Sequence, residues 1–121
     1  MAYFAKITNG VVEQVIAIGN SDMLDENGVE QESIGLAFIA SIGLEGEWVQ
    51  TSFNSTFRKK YANIGDTYDA GSDEFVASQP FTSWTLDGNN DWQPPVAHPT
   101  DNIKYWWNEE TLNWVPQTEE E

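Results

Sequence analysis

The chain has 121 residues, no cysteine, and 20 acidic against 5 basic side chains, which give it a formal net charge of −15. This length fits one small domain, or one domain with an appendage, and leaves no room for a deep cofactor cleft beside a core. The charge makes nucleic acid and anionic membrane poor partners, and the absence of cysteine excludes disulfides, thiolate zinc sites and cysteine nucleophiles.

Neither a secretion signal nor a membrane span is expected from the sequence. No basic segment followed by an apolar one opens the chain, and no apolar run approaches the roughly 20 residues of a membrane helix. A protein of this kind that reaches the outside of a cell would do so by a route other than an N-terminal secretion signal.

Residues 2–18 predict a β-hairpin. Two apolar, partly β-branched runs, 2–8 and 11–18, flank the pair Asn9-Gly10. Asn-Gly tolerates the positive φ angles of a type I′ turn, so it fits a two-residue hairpin loop. The acidic, turn-rich stretch 19–32 predicts a loop.

Residues 32–43 predict a short helix, because four apolar side chains recur at helical spacing: Ile34, Phe38, Ile39 and Ile42. Gly43 suits the left-handed position that ends a helix. Gly35 weakens the helix by about 1 kcal/mol relative to alanine, so we expect the helix to depend on packing against the first hairpin. Residues 48–53 then predict a strand with Trp48 and Val49 on opposite faces.

A basic segment follows this strand and carries three of the five basic side chains: Phe57, Arg58, Lys59, Lys60 and Tyr61. One interpretation is a solvated loop whose charges balance nearby carboxylates. The other is an ionic contact with a partner, with the two aromatic rings as apolar anchors, because aromatic residues and arginine are enriched at interfaces.

The second half of the sequence contains one motif three times, at residues 68–76, 86–93 and 107–115. Each copy has a large apolar residue, then Asp or Asn, a short polar turn and an aromatic residue, and a proline-containing stretch follows. This pattern predicts short β-hairpins stabilised by three cross-strand pairs: Tyr68 with Phe75, Leu86 with Trp92, and Trp107 with Trp114.

The predicted fold class is α+β and mostly β. We expect a compact hairpin–helix–strand unit over residues 1–62 and an extended arm of antiparallel hairpins over residues 63–121, ending in a charged tail. The prolines between the hairpins favour extended backbone and remove amide donors, so neighbouring hairpins need not merge into one sheet.

Three tryptophans are candidates for contact with a partner: Trp84, Trp106 and Trp107. Adjacent strand residues point to opposite faces, so Trp106 and Trp107 cannot both pack on the same side. We expect one of them to be exposed, which indicates a protein interface or a stacking platform for sugar rings.

Catalytic, cofactor and metal sites find little support in the sequence. The one histidine, His98, lies in a proline-flanked segment. The Asp-rich turns at 69–74 and 87–91 lack the ligand spacing of an EF-hand, and Asp is common in turns. The sequence therefore predicts a chain that is not an enzyme, with no cofactor, no metal and no catalytic residue.

Residues 32–115 resemble a family of small virion-associated proteins of marine tailed phages, cyanophages especially. The resemblance rests on Trp-x-Gln-Thr-Ser from Trp48, Phe-Arg-Lys-x-Tyr-Ala from Phe57, and Ile-Gly-x-Thr-Tyr-Asp from Ile64. It continues in Pro-Phe-Thr-Ser-Trp from Pro80 and Tyr-x-Trp-Asn-Glu-Glu-Thr from Tyr105. It implies a virion component without catalytic residues, made in the host cytoplasm and exposed on the head or on tail appendages.

The function predicted from residues and resemblance together is a phage structural protein, in the first place a head decoration or cement protein. Its partners would be capsid or other virion proteins, including further copies of itself. The main alternative is a tail-fibre-associated or receptor-binding module that contacts host glycan. An acidic intracellular inhibitor or DNA mimic is a third alternative that rests on charge alone.

Overall fold

A computed structural model describes residues 1–117, and the predicted charged tail lies outside the described residues. The chain divides after Ser78 into two compact units. The predicted class holds: strands dominate, all sheets are antiparallel, and a single α-helix occurs among the described residues.

The first unit contains a five-stranded antiparallel sheet. Its strands are β1 (Ala2–Thr8), β2 (Val11–Ile18), β3 (Glu47–Thr51), β4 (Thr67–Asp69) and β5 (Glu74–Val76), in the order β3-β1-β2-β4-β5. The predicted hairpin is confirmed, since Asn9 and Gly10 have φ angles of 54° and 81° between β1 and β2. This is the left-handed backbone that a type I′ turn requires.

Helix α1 (Glu32–Ser41) confirms the predicted helix, and Gly43 follows its end with φ of 90°. Within the predicted loop before it, Asn20–Met23 forms a 3₁₀ helix. No helix in residues 1–117 has the length and apolar character needed to cross a membrane.

Both faces of the first sheet are covered. One face packs under α1 and the 3₁₀ helix through buried Ala2, Phe4, Ile18, Met23, Ile39 and Trp48. The opposite face packs under the segment after β3 through Ala5, Ile7, Val12, Val49, Ala62 and Phe75. Trp48 and Val49 thus lie on opposite faces, as the strand period predicts.

Gly35 sets how closely α1 approaches the sheet. A Cβ atom at this position would lie 2.5 Å from Cζ of Phe4 and would also overlap Sδ of Met23. The glycine that weakens the isolated helix is therefore the residue that lets the helix dock.

The unit boundary corrects the predicted division near residue 62. The first hairpin repeat forms β4 and β5 and joins the sheet, where Thr67 pairs with Val11. The amide of Tyr68 also donates to the carbonyl of Gly10 at 2.9 Å, and Phe75 is fully buried. This pairing joins segments far apart in sequence, so the first repeat belongs to the body and not to an arm.

The second unit contains two separate two-stranded sheets. One pairs β6 (Thr85–Leu86) with β7 (Trp92–Gln93), and the other pairs β8 (Tyr105–Asn108) with β9 (Asn113–Pro116). All three predicted cross-strand pairs are confirmed: Tyr68 with Phe75, Leu86 with Trp92, and Trp107 with Trp114.

The three repeats share the conformation of their turns. The first polar residue of each turn accepts a backbone amide: Gly71 donates to Asp69 at 3.0 Å, Asn89 to Asp87 at 2.8 Å, and Thr111 to Asn108 at 3.1 Å. Two positions before the second aromatic residue, each turn has positive φ, at Asp73, Asn90 and Leu112. The side-chain oxygens of Asp69, Asp87 and Asn108 therefore bind the backbone of their own turns.

Candidate functional site

Arg58 lies at the centre of an ion-pair network inside the first unit. Its Nε donates to Oδ1 of Asp73 at 2.7 Å, and its two terminal nitrogens donate to the carboxylate of Glu32 at 3.0 and 3.2 Å. The side chain is only 18% exposed. Both carboxylates come from other parts of the chain, so Arg58 ties the loop after β3 to α1 and to the β4–β5 turn.

Burial and hydrogen bonds within this network shift the pKa values of Arg58, Asp73 and Tyr68. Burial alone would lower the pKa of Arg58, but the hydrogen bonds to Glu32 and Asp73 outweigh it and raise that pKa. The Tyr68 hydroxyl, followed by Arg58, holds the pKa of Asp73 below its usual value. Burial and then the bond to Asp73 raise the pKa of Tyr68.

The same network closes one edge of the first sheet. Strand β3 is an edge strand, so one side of its backbone lacks a neighbouring strand. At Gln50 the backbone amide donates to Oε2 of Glu32 at 2.8 Å, and Nη1 of Arg58 donates to the carbonyl at 2.9 Å. The two side chains thus occupy backbone groups that an added strand would use.

The rest of the basic segment is divided between internal and exposed groups. Nζ of Lys60 pairs with buried Asp66, whereas Lys59 is exposed. Arg58 and Lys60 therefore follow the first interpretation of this segment, in which its charges balance nearby carboxylates. Phe57, which is 41% exposed, and Lys59 are the exposed residues of this segment.

Tyr61 belongs to a small aromatic cluster on the first unit. Its ring lies edge-on to Tyr3 and Phe53, with centroids 5.7 and 5.3 Å away. Phe53 is 61% exposed, and together with Phe57 it lines a cleft of about 210 Å³. The first unit therefore offers a modest aromatic surface.

Three tryptophans form the centre of the second unit. The ring centroids of Trp107 and Trp114 are 5.1 Å apart, and Trp84 lies 5.8 and 6.1 Å from them, each pair nearly edge-to-face. Such aromatic pairs add about 0.5–1.5 kcal/mol beyond the area they bury. They bring together two hairpins that are too short to be stable alone.

Glu109 anchors this cluster from its rim. Its carboxylate accepts the indole N–H of Trp107 at 2.8 Å and both the amide and the hydroxyl of Ser83, at 3.0 and 2.8 Å. The bond from Trp107, more than those from Ser83, holds the pKa of Glu109 below its usual value. The β8–β9 turn is thus fastened to the segment before β6.

A groove of about 610 Å³ opens beside the tryptophans. Flat rings dominate its walls, and the lining residues are Trp84, Trp92, Gln93, Pro94, Pro95, Ala97, His98 and Trp114. The imidazole of His98 lies 4.5 Å from the indole of Trp114, centroid to centroid. This volume falls within the range of ligand sites, about 300–1,000 Å³.

The tryptophans singled out from the sequence have different surroundings. Trp106 is 58% exposed and Trp107 is half-buried, which confirms that the two split between opposite faces. Trp84 lines the groove and packs on Trp107, so it serves the unit's own stability as well.

Sequence reasoning missed most of the groove. From the sequence, Trp92 and Trp114 are predicted only to stabilise their hairpins, and His98 only to lie in a proline-flanked segment. The signal for the groove was the run Trp92 to Pro95, because a proline pair after a strand holds the chain extended beside the preceding ring.

No known protein family matches the sequence of this chain, and no curated protein or solved structure is significantly similar to it. The resemblance to phage virion proteins therefore stays a prediction.

Proposed function

We propose that the chain is a non-enzymatic structural protein of a phage particle that binds the virion surface, in the first place as a head decoration protein. The sequence resemblance supports the assignment to a phage particle. The aromatic surface of the second unit supports a role in binding another protein. The partner would be a capsid or other virion protein, or a further copy of the chain.

The observation that carries this proposal is the exposure of Trp106 on the same unit as the aromatic groove. Trp106 is 58% exposed, so a partner could cover much of its side chain. An aromatic side chain buries about 150–250 Å² when it is fully covered. Tryptophan is also enriched among the residues that dominate binding energy. The second unit therefore presents the composition of an interface centre.

The basic segment has a smaller part in this proposal than in the sequence-based prediction. Arg58 and Lys60 hold the first unit together, so reversing their charges would disturb the fold whether or not they touch a partner. The proposed contact surface is therefore placed on the second unit and not on this segment.

The location is tested by counting copies in purified particles of the phage that encodes the chain. Quantitative mass spectrometry should find hundreds of copies per particle, because a decoration protein follows the symmetry of the shell. A count of tens or fewer would point to a tail part instead. Absence from particles would overturn the proposal.

The contact surface is tested with Trp106→Ala, and Phe57→Ala serves as the matched exposed aromatic in the first unit. Both variants should fold, because neither ring is buried. We expect Trp106→Ala to lower association with chain-free particles at least about tenfold and Phe57→Ala to lower it less. Full association of Trp106→Ala would exclude Trp106 from the interface.

A further inference from the structure

We infer that the groove of the second unit binds an extended, proline-containing and basic segment of a partner protein. This inference rests on the proposed function, because it names the chemistry of the partner that such a binding protein would recognise.

The walls suit a proline-rich ligand. Trp84, Trp92 and Trp114 present indole rings along the groove, and Pro94 and Pro95 complete its lining. Proline-rich segments adopt the polyproline II helix before binding, so they lose little conformational entropy when they dock on aromatic grooves. Their rings are flat, apolar and free of hydrogen-bond donors, which matches walls of the same kind.

Three polar groups on the walls are already engaged within the chain, and the indole nitrogen of Trp84 is buried, so few groups remain to pair with a sugar. Nε2 of Gln93 donates to Asp87 at 2.8 Å, and Nε1 of Trp114 donates to the carbonyl of Val96 at 2.8 Å. Nδ1 of His98 donates to the carbonyl of Pro99 at 2.6 Å. A saccharide needs several groups to pair with its hydroxyls, whereas a proline-containing segment needs few.

The charge of the second unit favours a basic ligand. Between residues 79 and 117 the sequence has five carboxylates against the single cation Lys104, and these are Asp87, Asp91, Asp101, Glu109 and Glu110. An acidic unit attracts arginine and lysine and repels phosphate or sulfate groups. A cation beside the indoles would also gain from contact with their faces.

The test follows the indole N–H signals of the full-length protein by NMR during titration with a peptide of three Arg-Pro-Pro-Pro repeats. The signals of Trp92 and Trp114 should move saturably, with a dissociation constant below about 1 mM, while that of Trp106 stays in place. The same peptide with glutamate for arginine should bind at least about tenfold more weakly.

Trp92→Ala and Trp106→Ala form the matched pair of variants. Trp92→Ala should lose peptide binding about tenfold or more, and unchanged signals from Trp84, Trp107 and Trp114 would show that the unit is still folded. Trp106→Ala should bind the peptide as the unmodified chain does, because Trp106 does not line the groove.

Three outcomes would overturn the inference: no saturable shift with the arginine peptide, equal binding of the glutamate peptide, or a response to maltoheptaose alone. The last would assign the groove to a neutral saccharide. The inference fails independently of the proposed function if the chain is abundant in particles but its groove ignores the peptide. The proposed function fails by itself if the groove binds and the particles lack the chain.

Discussion

Trp84 buries its indole nitrogen without a hydrogen-bond partner among residues 1–117. Its neighbours Trp107 and Trp114 both donate their indole N–H groups, at 2.8 Å, to Glu109 and to the carbonyl of Val96. Leaving a buried donor unpaired costs about 1–3 kcal/mol. The indole nitrogens of these three tryptophans therefore contribute differently to the stability of the second unit.

Replacing each ring by phenylalanine should show this difference. Trp84→Phe removes an unpaired donor, whereas Trp107→Phe removes a bond to a carboxylate, so we expect Trp84→Phe to cost at least about 1 kcal/mol less. Urea unfolding of both variants, followed by fluorescence of the remaining tryptophans, measures the gap. Equal losses would mean that the Trp84 nitrogen is satisfied in solution.

Arg58→Met should destabilise the first unit by about 2–4 kcal/mol, because it leaves Glu32 without its main partner and opens the carbonyl of Gln50. Arg58→Lys should recover only part of this, since an ammonium cannot hold both carboxylate oxygens. Chemical unfolding measures both variants.

Lys59→Ala is the control for Arg58, because the neighbouring side chain is exposed and both residues have positive φ. It should change stability by less than about 0.5 kcal/mol. A loss for Lys59→Ala as large as that for Arg58→Met would assign the effect to the loop backbone and not to the ion pairs.

The lowered pKa of Glu109 gives the second unit a dependence on acid. A carboxylate whose folded pKa lies below its unfolded value, 4.5, stabilises the fold above that value. The stabilisation is lost as the pH falls from about 4.5 through the lower folded pKa. In Glu109→Gln, tryptophan fluorescence should change less with pH in this window. An acid transition like that of the unmodified chain would contradict the assignment of this pH dependence to Glu109.

The three hairpin turns share one backbone pattern, but they place different residue types at its positive φ position. Two of them put Asp73 and Asn90 at the positive φ position, and both types tolerate it. The third puts Leu112 there with φ of 53°, a conformation that costs an ordinary residue about 1–2 kcal/mol. The third turn is therefore held by the pairing around it.

Leu112→Asn should stabilise the second unit by about 0.5–1 kcal/mol, because asparagine relieves the strain. Little packing is lost, since Leu112 is 46% exposed. Thermal unfolding should show a higher melting temperature than for Leu112→Ala, which keeps the strain and serves as control. A gain in Leu112→Ala equal to that in Leu112→Asn would trace the effect to the exposed leucine instead.

Gly35→Ala should have two opposite effects on the stability of the first unit. Alanine gains about 1 kcal/mol of helix propensity, but its methyl group meets the ring of Phe4, and overpacking costs about 1–3 kcal/mol. We expect a net loss of stability in chemical unfolding. Ser33→Ala, at an exposed position of the same helix, should change stability by less than about 0.5 kcal/mol. A stabilised Gly35→Ala would show that α1 can move outward at little cost.

For the whole molecule, the features predictable from sequence are the local ones. The Asn9-Gly10 turn, α1 and the three aromatic pairs each depend on residues close in the chain. The unit boundary was missed because it depends on the pairing of Val11 with Thr67, and no local pattern encodes that pairing.

The candidate site was less predictable than the fold for the same reason. Arg58 takes its partners from 26 positions before it and 15 after it, so the sequence shows three cations but not which one is internal. The groove likewise needs Trp114 packed near Trp84 from another hairpin. Exposure of one residue of the Trp106-Trp107 pair was predictable, because the strand period alone requires it.

The closed edge of β3 has a consequence for synthesis. Asp73 leaves the ribosome 15 residues after Arg58, which at about 5–20 residues per second takes about one to three seconds. During that interval the guanidinium lacks one of its two carboxylates, and the edge strand of each nascent chain is less firmly covered. Because open edges template pairing between chains, we expect nascent chains on neighbouring ribosomes to be more open to pairing at β3 during this interval.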